Sequence, residues 1–261
     1  APLTSTTREV IRSVFRAATK AEPTKSYAEV LRDTHPTLVS DKPTHYVVHT
    51  HKELWCELMD SLVMDEANPD RFVWLDAACL PQAHRGVVDV PWVGARDLLE
   101  SDHITTVEFV AAPLRNPISI RRTWCHFEVI TAFRANKRMV VRAPPDQVAT
   151  MRRSATTVPL ATTMEALKFL RDAPNQAVDR FNCSREDDYA AIIKTVRAHS
   201  EICVSLVAKF FIETVFEPVR GAAADAVPAA HKLRLLLARG AAAWSANDLD
   251  EAQRCFSKAV D

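Results

Sequence analysis

Glycine constrains this chain more than any other residue. The 261 residues hold four, Gly86, Gly94, Gly221 and Gly240, and no two lie within six positions of each other. Loops that cradle phosphate, such as GxGxxG and GxxxxGK[ST], need closely spaced glycines so that the backbone can approach the ligand. A dinucleotide fold with its usual fingerprint and a P-loop nucleotidase are therefore both excluded. The length leaves room for one large domain, or one domain with an appendage. Charge is balanced, with 33 Lys+Arg against 33 Asp+Glu. Nucleic acid as the main partner would require a basic surplus.

Apolar patterning supplies the fold class. Residues 46–48, 72–75, 104–111 and 139–141 are short runs rich in β-branched and aromatic side chains, and each reads as a buried strand. A weaker fifth run is expected at 157–160. Residues 54–64 and 121–136 have helical spacing, and 184–217 reads as helix throughout, with Ser184 as its cap. Pro144 and Pro145 stop the fourth strand. Strands alternating with helices imply an α/β fold: a parallel sheet with helices on both faces and ligands beyond the carboxyl ends of the strands.

At the start, Arg8, Arg12, Arg16 and Lys20 fall four apart and form a basic stripe on one helical face. Val10, Ile11, Val14, Phe15 and Ala18 fall mostly on the other. The pattern fits a surface helix, and its Arg-rich character also fits a mitochondrial targeting segment. A first residue of Ala suggests a processed or trimmed piece of a longer protein. A second short helix is expected at 27–32. The six cysteines are at least 20 residues apart. That spacing gives no zinc ribbon and no CxxC pair, and points to buried free thiols in a reducing intracellular compartment, the cytoplasm first. No apolar run approaches the ~20 residues of a membrane span; Lys209 and Glu213 break the longest, 202–216.

Three stretches carry most of the functional information: Thr44-His45-Tyr46-Val47-Val48-His49-Thr50-His51, Phe72-Val73-Trp74-Leu75-Asp76, and Arg122-Thr123-Trp124-Cys125-His126-Phe127-Glu128. Together they resemble a TIR-like family, related to Toll/interleukin-1 receptor domains. In that family a THFVSHAW-like strand is followed by a WxD strand, a loop with NQ and a helix opening RxWCxxE. Gln82 matches the loop, whereas Pro81 stands at the place of the Asn. Val48 replaces the Ser of the first strand, and His51 its Trp. The resemblance covers about residues 40–215. It implies a flavodoxin-like sheet of five parallel strands, and one of two roles: scaffolding through domain association, or cleavage of the N-glycosidic bond of NAD. For the second role it assigns the catalytic carboxylate to Glu128, with His49, Asp76, Gln82 and Trp124 around the pocket. Such cleavage builds oxocarbenium character on the ribose, which a fixed carboxylate stabilises. Trp124, one turn before Glu128, is expected to wall off the pocket.

His45, His49 and His51 alternate with other residues and so are expected on one side of an extended strand. With Glu53 and Cys56 nearby, they offer metal-ligand residue types. A metal-dependent hydrolase at His49 and His51 is the third reading. Cys125 and His126 are neighbours on a helix and face different directions, so they form no dyad. GxSxG is absent.

After a linker at 221–230, the stretch containing Gly240, Trp244, Ala252, Phe256 and Ala259 resembles one tetratricopeptide repeat. Its small residues allow two helices to pack closely. A single repeat cannot bury its own apolar face, which implies stacked neighbours or another subunit.

The chain thus divides into an N-terminal helical segment (1–40), a TIR-like domain (41–175), a helical extension (176–220), a linker (221–230) and a first tetratricopeptide-like pair (231–261). The expected function is a protein–protein interaction scaffold or adaptor without a cofactor. Its partners would be other subunits, or a second copy of the chain, meeting the helical C-terminus and the TIR-like surface. Trp55, Trp92, Phe210, Phe211 and Phe216 are the expected contact residues. The alternative is an NAD nucleosidase using Glu128, with NAD as substrate.

Overall fold

The structure is a computed structural model that describes residues 4–63, 71–82, 91–157, 186–216, 250–251 and 254–255. The first helix, α1, runs through Thr7–Val10, a π segment Ile11–Phe15 and Arg16–Ala18. It is followed by α2 (Tyr27–Thr34), β1 (His45–Val48), α3 (Trp55–Leu62), β2 (Val73–Trp74) and α4 (Asp76–Cys79). Next come α5 (Pro91–Glu100), β3 (Thr106–Val110), α6 (Thr123–Arg134), β4 (Arg138–Arg142) and α7 (Pro145–Thr157). The last described long helix, α8 (Glu186–Phe210), is kinked at His199 and continues as a π segment, Phe211–Phe216.

The strands form one parallel sheet in the order β2-β1-β3-β4. His45 pairs with Val73 on one side and Thr106 on the other, and Thr106 pairs with Arg138. The chain moves to one side of β1 for β2 and to the opposite side for β3. The strand order therefore reverses at β1, the place where open α/β sheets form a crevice beyond their carboxyl ends.

Side-chain alternation divides the core between the two faces. Tyr46, Val48, Val107, Phe109 and Val141 point to one face. There they pack with Leu99 of α5, Cys125, Val129 and Ala132 of α6, and Cys203, Val207 and Phe211 from the last helix. Val47, Leu75 and Val110 point to the other, against Val10, Ile11 and Phe15 of α1 and Leu58 and Leu62 of α3. The helices cover both faces, as the alternating pattern implies.

Several expectations need correction. Thr157, where a fifth strand was expected to start, closes α7, and 158–160 lie outside the described residues. Pro144-Pro145 ends the strand but also opens that helix, because proline suits the first helical turn. On α1, Val10, Ile11 and Phe15 are buried while Val14 and Ala18 are exposed. The π segment explains the shift: its i→i+5 bonding aligns Val10 with Phe15 and turns Val14 outward. The segment 1–40 also shares its core with the sheet rather than standing apart. Ser184, the linker and most of the tetratricopeptide-like stretch, including Gly240, Trp244, Ala252, Phe256 and Ala259, lie outside the described residues. The five described cysteines are free thiols. No helix among the described residues is long and apolar enough to cross a membrane.

Candidate functional site

β1 ends at Val48, and the chain leaves it through His49, Thr50 and His51 before α3 begins. This exit loop is held from outside by the start of the chain. The amides of Thr7 and Arg8 donate to the carbonyls of Glu53 and His51 at 2.9 and 3.0 Å, and the Trp55 amide donates to the Ser5 carbonyl at 2.9 Å. The first amides of a helix have no partner within it. Here two of them are spent on the loop, and an antiparallel bridge between Thr6 and Leu54 completes the join.

β2 lies beside β1 and ends at Trp74, so Asp76, the first residue of α4, arrives next to this loop. His49 Nε2 meets Asp76 Oδ1 at 2.6 Å, and His51 Nε2 meets Asp76 Oδ2 at 2.9 Å. His49 Nδ1 meets Glu53 Oε1 at 2.9 Å, and the Thr50 amide donates to the same oxygen at 3.2 Å. Glu53 Oε2 is buried and has no hydrogen-bond partner among the described residues. Gln82 Nε2 donates to the Asp76 carbonyl at 2.9 Å, which ties the loop after β2 to the same point.

α6 supplies the remaining wall. Tyr46, fully buried on β1 and stacked on Trp74 at 4.6 Å, donates its hydroxyl to Glu128 Oε1 at 2.6 Å. The Cys125 thiol donates to the His49 carbonyl at 3.2 Å. His126 donates its Nε2–H to the Ile120 carbonyl at 2.7 Å.

These contacts set the charges. Burial alone would lower the pKa of His49, but the Asp76 and Glu53 carboxylates outweigh it and hold the ring cationic, with the pKa pushed up to about 10. Asp76 would be raised by burial, yet His51 and His49 keep it well below the usual carboxylate range. Burial raises Glu53 against the pull of His49. Glu128 is pushed up to about 8, chiefly by burial and with help from the negative charge on Asp76, while the Tyr46 hydroxyl and His49 act in the opposite sense. Burial also raises the Cys125 thiol well above its ordinary value, so it is not a nucleophile at neutral pH. Perturbed ionisable groups gathered at strand ends are a mark of working sites.

Of the sequence-predicted residues, His49, His51, Asp76 and Gln82 are joined by hydrogen bonds, and Glu128 lies within electrostatic reach of His49 and Asp76. Three expectations differ. His45 lies apart from the other two histidines. It begins β1, and its ring bonds Thr44 at the opposite end of the strand. Cys56 is not part of the His49–His51–Asp76 group. Trp124 turns its ring edge-on to Phe127 at 6.0 Å and packs towards Ile192 and Val196 of α8; no described contact joins it to Glu128. The aromatic pair beside Glu128 is Tyr46 on Trp74. In the sequence Tyr46 is legible only as a strand former, and nothing there says which helix its hydroxyl meets.

Of the expected contact residues, Phe211 is core, whereas Trp55, Trp92 and Phe210 are half-buried. Phe211 is fully buried, Trp55 packs edge-on to Phe15, Trp92 meets Phe127, and Phe210 rests against the main cluster. The side chain of Phe216 lies outside the described set. Comparison of the chain with protein-family models, curated proteins and solved structures finds no match.

Proposed function

We propose that this chain is a TIR-like α/β domain whose working site is the crevice beyond β1 and β2, and that its reaction is cleavage of the N-glycosidic bond of NAD. One observation carries the reading: Glu128 is held by the hydroxyl of Tyr46 on β1, the strand at which the order reverses, and lies within electrostatic reach of Asp76 and His49. Ionisable groups packed together in this way are costly, and a domain that only docks neighbours does not need them. In this reading ionised Glu128 faces the ribose as the bond to nicotinamide lengthens, and stabilises the positive charge that develops on the sugar. Water then takes the place of nicotinamide. With its pKa near 8, Glu128 is mostly neutral at pH 7 and ionises above that. The rate therefore rises with pH through about 8.

The test is nicotinamide release by the purified chain between pH 7 and 9. Glu128→Gln is expected to lower it about 100-fold or more, the usual effect of removing one charge-stabilising group. Equal background release from both proteins defeats the proposal. The scaffold reading is second. It draws on the Tyr46–Glu128 pair, which already satisfies the carboxyl, and on Leu38, Phe133 and Val63, which are exposed apolar side chains. It expects no release from either protein.

A further inference from the structure

We propose that His49, His51 and Asp76 bind a divalent transition-metal ion of the zinc class. The proposal does not depend on whether Glu128 cleaves NAD. One ligand atom from each of the three residues lies within 4.8 Å of the other two, and both Nε2 atoms already meet Asp76 carboxylate oxygens, at 2.6 and 2.9 Å. Two imidazoles and one carboxylate are the donor set of open zinc-class sites, in which three protein ligands leave a fourth position for water or substrate.

Three features separate this cluster from an ordinary surface ion pair. The first is donor counting. Both ring nitrogens of His49 face carboxylate oxygens, at 2.9 Å to Glu53 and 2.6 Å to Asp76. A neutral imidazole carries one N–H. In the ion-free protein that second contact is made by the extra proton of the cationic ring, and a metal ion bound at Nε2 would displace this proton and take over its charge. The second feature is support. Glu53 grips His49 through Nδ1, the nitrogen away from Asp76, and so aims Nε2 at the cluster. That carboxylate–histidine–metal relay is the usual outer support of a histidine ligand. Glu53 Oε2, buried and without a hydrogen-bond partner among the described residues, is the kind of orphan that marks a charged site. The third feature is access. The side chains of His49 and Glu53 are 2% and 0% exposed, whereas those of His51 and Asp76 are 34% and 31% exposed. The cluster thus has a fixed inner side and an open outer side, through which an ion can enter.

The experiment uses the untagged chain, stripped with a chelator and titrated with Zn2+ by calorimetry and with Co2+ by visible absorption. Binding of about one equivalent is expected, with micromolar or tighter affinity and ligand-field bands for Co2+. Mg2+ at the same concentration should not bind, because it favours all-oxygen sites. His51→Ala and Asp76→Asn are expected to weaken Zn2+ binding at least tenfold, and Glu53→Gln by about 10- to 100-fold. His51 is on the open side, so His51→Ala should keep the wild-type circular dichroism and melting temperature. It therefore reports on the site even where a buried variant fails to fold. Glu128→Gln should bind Zn2+ as wild type does, which separates this proposal from the NAD reading. Absence of binding assigns the bridging charge to a proton and overturns the proposal. So does equal affinity in wild type and His51→Ala, or loss of binding in a folded Glu128→Gln.

Discussion

His126 adjoins Cys125 in sequence but answers to a different part of the molecule. Its ring is buried, donates to the Ile120 carbonyl, and has its pKa driven down by burial from an ordinary 6.5 to about 4. The folded protein therefore holds His126 neutral where the unfolded chain would protonate it. Stability is present above pH 6.5 and is lost as pH falls through the window down to about 4. The loss is on the order of 3 kcal/mol at about 1.4 kcal/mol per pK unit. In His126→Gln, which keeps a donor towards Ile120, this acid-side slope in denaturant titrations should largely vanish; an unchanged slope would assign it to other groups. The same scale shows what the sequence could reveal. The HxH spacing is visible in any reading of residues 49–51, and so is Glu53. The joining of both imidazoles to Asp76 is not, because it depends on β1 lying beside β2 and bringing together residues 25 and 27 positions apart. Tyr46 was likewise hidden, since a tyrosine in a strand says nothing of which helix its hydroxyl will meet.

At the scale of elements, β-branched and aromatic runs located all four described strands to within two residues at either end. They did not reveal what β3 carries. Glu108 is fully buried in mid-strand, with Arg71 Nη2 on one carboxylate oxygen at 2.6 Å and Arg142 Nη2 on the other at 2.8 Å. Arg71 comes from the residues before β2 and Arg142 from β4, so the trio ties the two outer strands to the middle of the sheet. An apolar-pattern reading passes over a lone acid in a strand because its partners are distant in sequence. Glu108→Ala would leave two mostly buried guanidinium groups facing each other without an anion. A cost of about 3–5 kcal/mol is expected in urea unfolding, far more than for an exposed ion pair. α5 and α7 were not read from the sequence at all. Their proline starts look like breakers until the helical turn that follows is in view. Asn136, with φ 53°, closes α6 in the left-handed conformation that asparagine tolerates at helix ends.

Across the whole molecule the described residues form three layers, helices on each side of a parallel sheet, and α8 belongs to that body. Cys203, Val207, Phe211 and Val215 are all buried in the same cluster as Tyr46 and Phe109. The helix read as an extension therefore completes the core over α6. Phe211→Ala is expected to cost about 3–5 kcal/mol; a thermal shift no larger than that of an exposed substitution would contradict this placement. The layered architecture was legible because apolar periodicity records which residues are buried. Which long helix covers which face was not, because that depends on packing between distant segments. One consequence concerns the backbone join between Ser5–Arg8 and the turn bearing His49 and His51. A bulky fusion attached just ahead of Ser5 would press on that turn from behind, so a reporter placed there would disturb the imidazoles it was meant to observe.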